Sequence, residues 1–444
     1  MSYQVPQNID PYKIFLVNRS EIEGRLDPSI YRPQFKFISN IYRNVKLSEI
    51  AWIDPVCSFE KAKEVSFIPM DAIDSINGVV AYQGVKKAGE AKGFTKFKEG
   101  DILWAKITPC MQNAKSAIAK NLLNGYGCGS TEFFVIRSKN ENVVLQDYLL
   151  FLLRDERILK AAMNYFGGSA GQQRVSPLFL KTFNVPLPEI ERQNSICELI
   201  RQAQSLKLQK EKEAEAILNN IDDYLLGELD IKLPEKKSQT LQDRMFTVNY
   251  SEINGRRFDP KSVLFLGESA KSIKYENVQL QQIAKIEKGT SITSSEVNKE
   301  GQYPVIAGGQ ASPYNHDRFN YKGDVITVSA SGAYSGYVWY HKDPIFASDC
   351  SVICAKNNQF MTKYLFEVLK AQQSHIYLLQ QGAGQPHVYP NDLAKLWIPV
   401  VSLTKQQEIV EHITDIRQQA KALQEEGRSI LEQAKREVEG MIIG

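Results

Sequence analysis

The sequence predicts an α+β chain built as an internal repeat: two similar globular domains with irregular, curled sheets, separated by a pair of long antiparallel coiled-coil helices and related by a pseudo-two-fold. Two long polar stretches each carry one apolar seam. A set of short phrases recurs at a nearly constant offset, and the residues between are mostly short β-branched and aromatic runs. The chain accordingly divides into an N-terminal segment (1–33), a first domain (34–188), a central helix (189–229), a connector (230–259), a second domain (260–401) and a C-terminal helix (402–444).

The first helix is read from Gln193 to Tyr224. There Ile196, Leu199, Ala203 and Leu206, then Ile217, Ile221 and Tyr224, alternate at three and four residues among Glu, Lys, Gln and Asn. At about 1.5 Å per residue this helix is roughly 50 Å long, too long and too polar for the interior of a compact domain, so it needs a partner helix. The stretch from Gln406 to Met441 supplies one, with Ile409, Ile413, Ile416, Ala420, Leu423, Ile430, Ala434, Val438 and Met441 in the same heptad and Gly427 in one seam slot. Pro186 and Pro188 precede the first helix and Pro399 the second, and proline forbids helix just upstream, so each start is sharp. The two Gln positions and the two Pro positions are each 213 residues apart (406 − 193 and 399 − 186). Parallel pairing would crowd both domains at one end; antiparallel pairing places them at opposite ends.

The repeat extends through the domains. Residues 17–28 read VNRSEIEGRLDP and residues 248–260 read VNYSEINGRRFDP, 231 residues apart at their asparagines (249 − 18). Val45 to Ala51 is echoed by Val278 to Ala284, Gly100-Asp101 by Gly323-Asp324, and Gly171-Gln172 before Val175 by Gly384-Gln385 before Val388. The offset falls from 231 to 213, so the second domain is about 18 residues shorter than the first.

Within the domains, Ile102 to Ile107, Phe133 to Ile136, Val325 to Ser329, Tyr337 to Tyr340 and Val352 to Cys354 read as strands. One helix per domain is expected near its end, over Asp147 to Asn164 and Thr362 to Gln380. Residues 233–242, LPEKKSQTLQ, are polar and aperiodic, as a connector would be.

At 444 residues, 43% hydrophobic and 24% charged, the chain can bury two cores, and no run approaches the ~20 apolar residues of a membrane span. The opening MSYQVPQNID lacks the basic and apolar regions of an export signal, so a soluble cytoplasmic protein is expected. Cys57, Cys110, Cys128, Cys197, Cys350 and Cys354 form no CxxC pair and read as buried free thiols, not a metal site. A net charge of +3 neither requires nor excludes a nucleic-acid partner, since binding needs only a local basic face.

Two non-identical domains, each followed by a long helix after a proline signal, with GRLDP repeated as GRRFDP, resemble the specificity subunit of a type I restriction-modification enzyme. The resemblance covers nearly the whole chain. Its most specific pieces are ITPCMQNAK (Ile107 to Lys115), the Gly-Gln turns at Gly171 and Gly384, and the helix starts at Gln193 and Gln406. It implies that each globular domain is a target-recognition domain reading half of a split double-stranded DNA sequence, with the paired helices as spacer. It also implies two methyltransferase subunits and restriction/translocase subunits as partners. S-adenosylmethionine, ATP and Mg are then expected in those partner subunits, with no cofactor and no catalysis in this chain. Leu225-Leu226 and Ile442-Ile443 are expected to remain available to partner helices. The alternative is a coiled-coil scaffold carrying two protein-binding domains.

Reading DNA needs donors and acceptors on loops and cations for phosphates. In the first domain Lys106, Thr108, Gln112, Asn113 and Lys115 surround a Thr-Pro turn after a strand, and Ser169, Gln172, Gln173 and Arg174 lie on a glycine loop. In the second, Ser329, Ser331, Tyr334 and Tyr337 lie on a Gly-rich loop, with Gln385 and His387 after Gly384. Gln and Asn match the adenine edge and Arg the guanine edge. Taken singly, each residue reads equally well as part of an ordinary solvated turn.

Catalytic signatures are weak by comparison. There is no Gly-x-x-x-x-Gly-Lys-Ser/Thr, and Gly125-Tyr126-Gly127-Cys128-Gly129 lacks dinucleotide-binding spacing. Asp27-Pro28 and Asp259-Pro260 lack the second proline and aromatic of an amino-methyltransferase motif, and Glu90-Ala91-Lys92 and Asp230-Ile231-Lys232 match a nuclease carboxylate-x-Lys only at chance level. The five histidines, at 316, 341, 375, 387 and 412, have no ligand spacing.

Overall fold

The computed structural model describes residues 14–17, 19, 22, 28, 38–59, 64–168, 172–233, 245, 247, 249–250, 270–293, 296–297, 300–382 and 384–444. The repeated phrases at 17–28 and 248–260, most of the connector, and Ser169 lie largely or wholly outside the described residues. Two compact units form, residues 1–209 with 426–444, and residues 210–425. Each therefore takes part of both long helices, Ile190–Glu228 and Leu403–Ile443.

In the first unit, an antiparallel sheet runs in the order Ala51–Ile53, Phe133–Ser138, Ile102–Ala105, Ser116–Ile118. A second sheet runs Gly84–Lys87, Glu64–Ile68, Tyr126–Gly129, Thr95–Lys98, with its middle pair parallel. Period-two alternation divides the first sheet between two cores. Leu103, Phe133 and Val135 meet Ile68 and Phe97 of the second sheet, while Trp104, Phe134 and Ile136 face the helices.

The second unit repeats the antiparallel sheet as Ala284–Lys288, Cys350–Ala355, Val325–Ser329, Val338–His341. Its second sheet is reduced to Asn315–His316, Tyr303–Ile306 and Phe346–Ala347. In both units a strand at the domain entrance pairs with one at its exit: Arg43–Lys46 with Asn184–Leu187, and Asn277–Gln279 with Trp397–Pro399.

Each helix start is bolted to its domain by one glutamine. Gln193 is fully buried; its Oε1 accepts from Leu145 N–H (2.9 Å) and its Nε2 donates to the carbonyls of Val143 (2.9 Å) and Pro188 (2.8 Å). Gln406, also fully buried, accepts from Met361 N–H (2.8 Å) and donates to Gln359 (2.8 Å) and Val401 (3.0 Å). Tyr148 and Tyr364 hydroxyls donate to the carbonyls of Pro186 (3.0 Å) and Pro399 (2.9 Å), completing the same joint twice.

The helix pair is antiparallel within each unit. Ile196, Ile200 and Ala203, near the start of one helix, share a core with Ala434, Val438 and Ile442, near the end of the other. In the second unit Ile221 and Leu225 share one with Ile409 and Ile413. Gly427 is buried in its slot. The expected seam needs one correction: Leu206 is 45% exposed. Gln193, Ile200, Lys207, Ala214 and Ile221 keep the seven-residue step, so the slot falls on half-buried Lys207, whose methylene stem can line a seam. Leu225 and Ile442 are buried in the cores instead of being available to partners.

Each single helix expected near the domain ends is broken. Gln146–Leu153 stops at Arg154 and Glu156–Met163 restarts, because the Asp155 carboxylate caps the Arg157 N–H (2.9 Å). Thr362–Ala371 ends at Gln372, followed by short turns over Gln373–Ile376 and Tyr377–Leu379. Among the described residues no helix is long and apolar enough to cross a membrane and no cluster could hold a metal ion. All six cysteines are free, but only Cys128, Cys197 and Cys350 are buried, fewer than expected.

Candidate nucleic-acid interface

The two middle strands of each antiparallel sheet meet, at one end, a pair of loops tied together by the same three backbone hydrogen bonds. In the first unit Lys106 N–H donates to the Glu132 carbonyl (2.9 Å), Val175 N–H to Lys106 (2.9 Å) and Thr108 N–H to Gln173 (2.9 Å). In the second, Ala330 N–H donates to the Asp349 carbonyl (3.1 Å), Val388 N–H to Ala330 (3.0 Å) and Gly332 N–H to Pro386 (3.0 Å). Isolated bridge pairs Ile107 with Arg174 and Ser331 with His387 fall in the same register. Lys106 and Ala330, Thr108 and Gly332, Glu132 and Asp349, and Arg174 and His387 are thus structural equivalents.

Glycine closes each loop. Gly168 has φ 109° and a Cβ there would lie 3.2 Å from the Gln172 carbonyl; Gly382 has φ 100° and a Cβ would lie 2.7 Å from the Gln385 carbonyl. An L-residue is strained in that region. Each Gly-Gln echo thus lies in a loop that opens on a left-handed glycine.

Upon this shared frame the side chains differ. In the first unit Gln112 and Asn113 are exposed, on a turn that contains the cis Thr108–Pro109 bond. Lys106 extends over the Phe134 ring, 5.2 Å from its centroid. Lys115 turns inward and donates to the Met70 carbonyl (3.0 Å), so its charge anchors the turn. Arg174 forms a fork with Glu132, Nε to Oε2 and Nη2 to Oε1, both 2.8 Å. This bond holds the Glu132 carboxyl below, and the Arg174 guanidinium above, their ordinary titration ranges. Gln172 is exposed and Gln173 half-buried.

In the second unit Tyr334 is 48% exposed, Gln385 is exposed and His387 stacks on Tyr389 with centroids 6.1 Å apart. The Ser331 hydroxyl donates to the exposed Asp349 carboxylate. Tyr337 is half-buried under the Lys370 ammonium, 4.1 Å from its centroid. Ser329 is buried (4% exposed) near the carbonyls of Ala307 and Gly309, and is a core residue, not a surface donor.

Three residues at these loops were not singled out from sequence. Arg154, its guanidinium pKa pushed down by burial, donates to the carbonyls of Ala114 (2.7 Å), Ser116 (3.0 Å) and Ser75 (2.7 Å), fixing the base of the Thr-Pro turn. Glu132 and Asp349 each stand immediately before a strand, a signal present in both copies.

A family model described as "Type I restriction modification DNA specificity domain" matches residues 42–219 and 272–433. Among curated proteins the chain is 40% identical over 146 residues to the type I restriction enzyme EcoEI specificity subunit of Escherichia coli, covering 32% of this chain and 24% of that protein. It is 36% identical over 188 residues to the EcoAI specificity subunit of Escherichia coli, covering 41% and 32%. These matches span about a quarter and a third of the relatives' lengths. A chain from a solved structure on complex assembly and conformational transition of the type I R-M system aligns with TM-score 0.55 at 17% identity, over 90% of this chain and 96% of that one, a likeness of fold.

Proposed function

Because the chain belongs to the type I restriction modification DNA specificity domain family through two matched segments, we propose that it reads a bipartite double-stranded DNA target, one half-site per unit. The observation that carries this reading is the loop pair repeated bond for bond with different side chains upon it. A common frame fixes where a base edge is met, and the side chains decide which base it is. In the first unit the candidates are Lys106, Thr108, Gln112, Asn113, Gln172, Gln173 and Arg174; in the second, Ser331, Tyr334, Tyr337, Gln385 and His387.

In this role the chain supplies the address and no chemistry. Methyl transfer from S-adenosylmethionine and ATP- and Mg-dependent cleavage belong to methyltransferase and restriction subunits assembled on it. The purified chain is expected to retard duplex DNA in a gel-shift assay while neither methylating nor cutting it. Methyl transfer from labelled S-adenosylmethionine by the chain alone would overturn the assignment.

A further inference from the structure

The loop lattice places a carboxylate at the same register position in each unit, Glu132 and Asp349, and its partner differs. The Glu132 backbone carbonyl accepts from Lys106 N–H, and that of Asp349 from Ala330 N–H, so both side chains leave the backbone beside the residue bridging to the Gly-Gln loop. In the first unit both carboxylate oxygens are occupied by Nε and Nη2 of Arg174. Arginine carries five donors in a rigid plane. Glu132 takes the Nε side, Nη1 reaches the Gln172 carbonyl at 3.3 Å, and the arginine side chain, held by these bonds in one orientation, remains 44% exposed. In the second unit the equivalent of Arg174 is His387, and among the described residues no arginine engages Asp349. The Asp349 carboxylate is exposed and receives only the Ser331 hydroxyl among the described hydrogen bonds.

We infer that Glu132 and Asp349 are specificity-determining residues with opposite hydrogen-bonding sense. Glu132 acts through Arg174, presenting it as a donor fork to the O6 and N7 acceptors of a guanine. Asp349 acts itself, as an acceptor for the N4 amino group of a cytosine. These are the pairings that the donor and acceptor pattern of the major groove favours for a guanidinium and a carboxylate. Each half-site therefore contains a G·C pair read at this position, from the guanine edge in one and the cytosine edge in the other. This rests on the proposed DNA-reading function.

The test uses the complex assembled with its methyltransferase subunits and measures methylation of duplexes carrying every single substitution across the target. Glu132→Gln, which keeps shape but cannot accept both guanidinium hydrogens, is expected to relax one position of the first half-site roughly ten- to a hundredfold and leave the second half-site unchanged. Asp349→Asn, whose amide pairs with adenine, is expected to move one position of the second half-site from G·C toward A·T and leave the first unchanged. Arg174→Lys retains the charge but loses the fork, and is expected to relax the same position as Glu132→Gln. The untouched half-site is the internal control, because a folding defect would lower methylation of all targets together. Unchanged preferences at every position in Glu132→Gln and Asp349→Asn, with methylation retained, would overturn the inference while leaving the DNA-reading function intact. So would a uniform loss in Glu132→Gln with Arg174→Lys fully specific. A parent complex with no sequence preference at all would instead remove the function on which the inference stands.

Discussion

Gln193 and Gln406 show how much one side chain can fix. Each satisfies three backbone groups that the helix start and the preceding loop leave buried. Gln193→Leu preserves bulk but leaves one N–H and two carbonyls unpaired; at about 1–3 kcal/mol per unsatisfied buried group, the joint should lose roughly 3 kcal/mol or more. Hydrogen exchange should show the loss at Leu145 and the first turns of the helix, with the second unit protected as before. Gln406→Leu should give the mirror result at Met361. Equal exchange in variant and parent would show that the joint is held by the tyrosine bonds alone. The spacing of the two glutamines was legible in the sequence. Their partners were not, because the acceptors Val143 and Gln359 lie 50 and 47 residues away and no local pattern encodes them.

At the scale of elements, periodicity recovered both long helices but misjudged slots where residue type and geometry disagree. Leu206 attracts the reading because it is apolar, yet the seven-residue step lands on Lys207. The helix break at Asp155 is likewise a competition: DYLLFLLRDERILKAAMN has a continuous helical pattern, but a capping carboxylate and the Arg154 bonds to two distant segments end one helix and begin another. In the proposed role the long helices set the number of unread bases between half-sites. Inserting four residues between Asn219 and Asp222 adds about 6 Å, near two base steps of ~3.4 Å, and keeps most of the seam's phase. The spacer of the modified motif should lengthen accordingly, whereas a two-residue insertion should turn the apolar stripe away and destabilise the pair. A folded, active four-residue variant with the original spacer would show that something else positions the half-sites.

For the whole molecule, the repeat was the most legible feature, and it located the loop pairs through the Gly-Gln echoes. Which side chains face outward on those loops was less legible, since exposure is decided by packing. Ser329 and Lys115 look like surface donors in sequence, yet one is in the core and the other anchors a turn. Glu132 and Asp349 passed unnoticed because a lone acid before a strand is an ordinary feature until the three-bond lattice puts both in one register. The central claim is that two units read two half-sites independently. Its most direct test is a base-resolution map of modified DNA in cells producing this chain with its methyltransferase subunits, repeated after residues 34–188 are exchanged for those of a relative. The expected map has two short specified halves around a fixed number of unspecified bases, and the exchange alters one half only; a single uninterrupted motif, or an exchange that alters both halves, would contradict it.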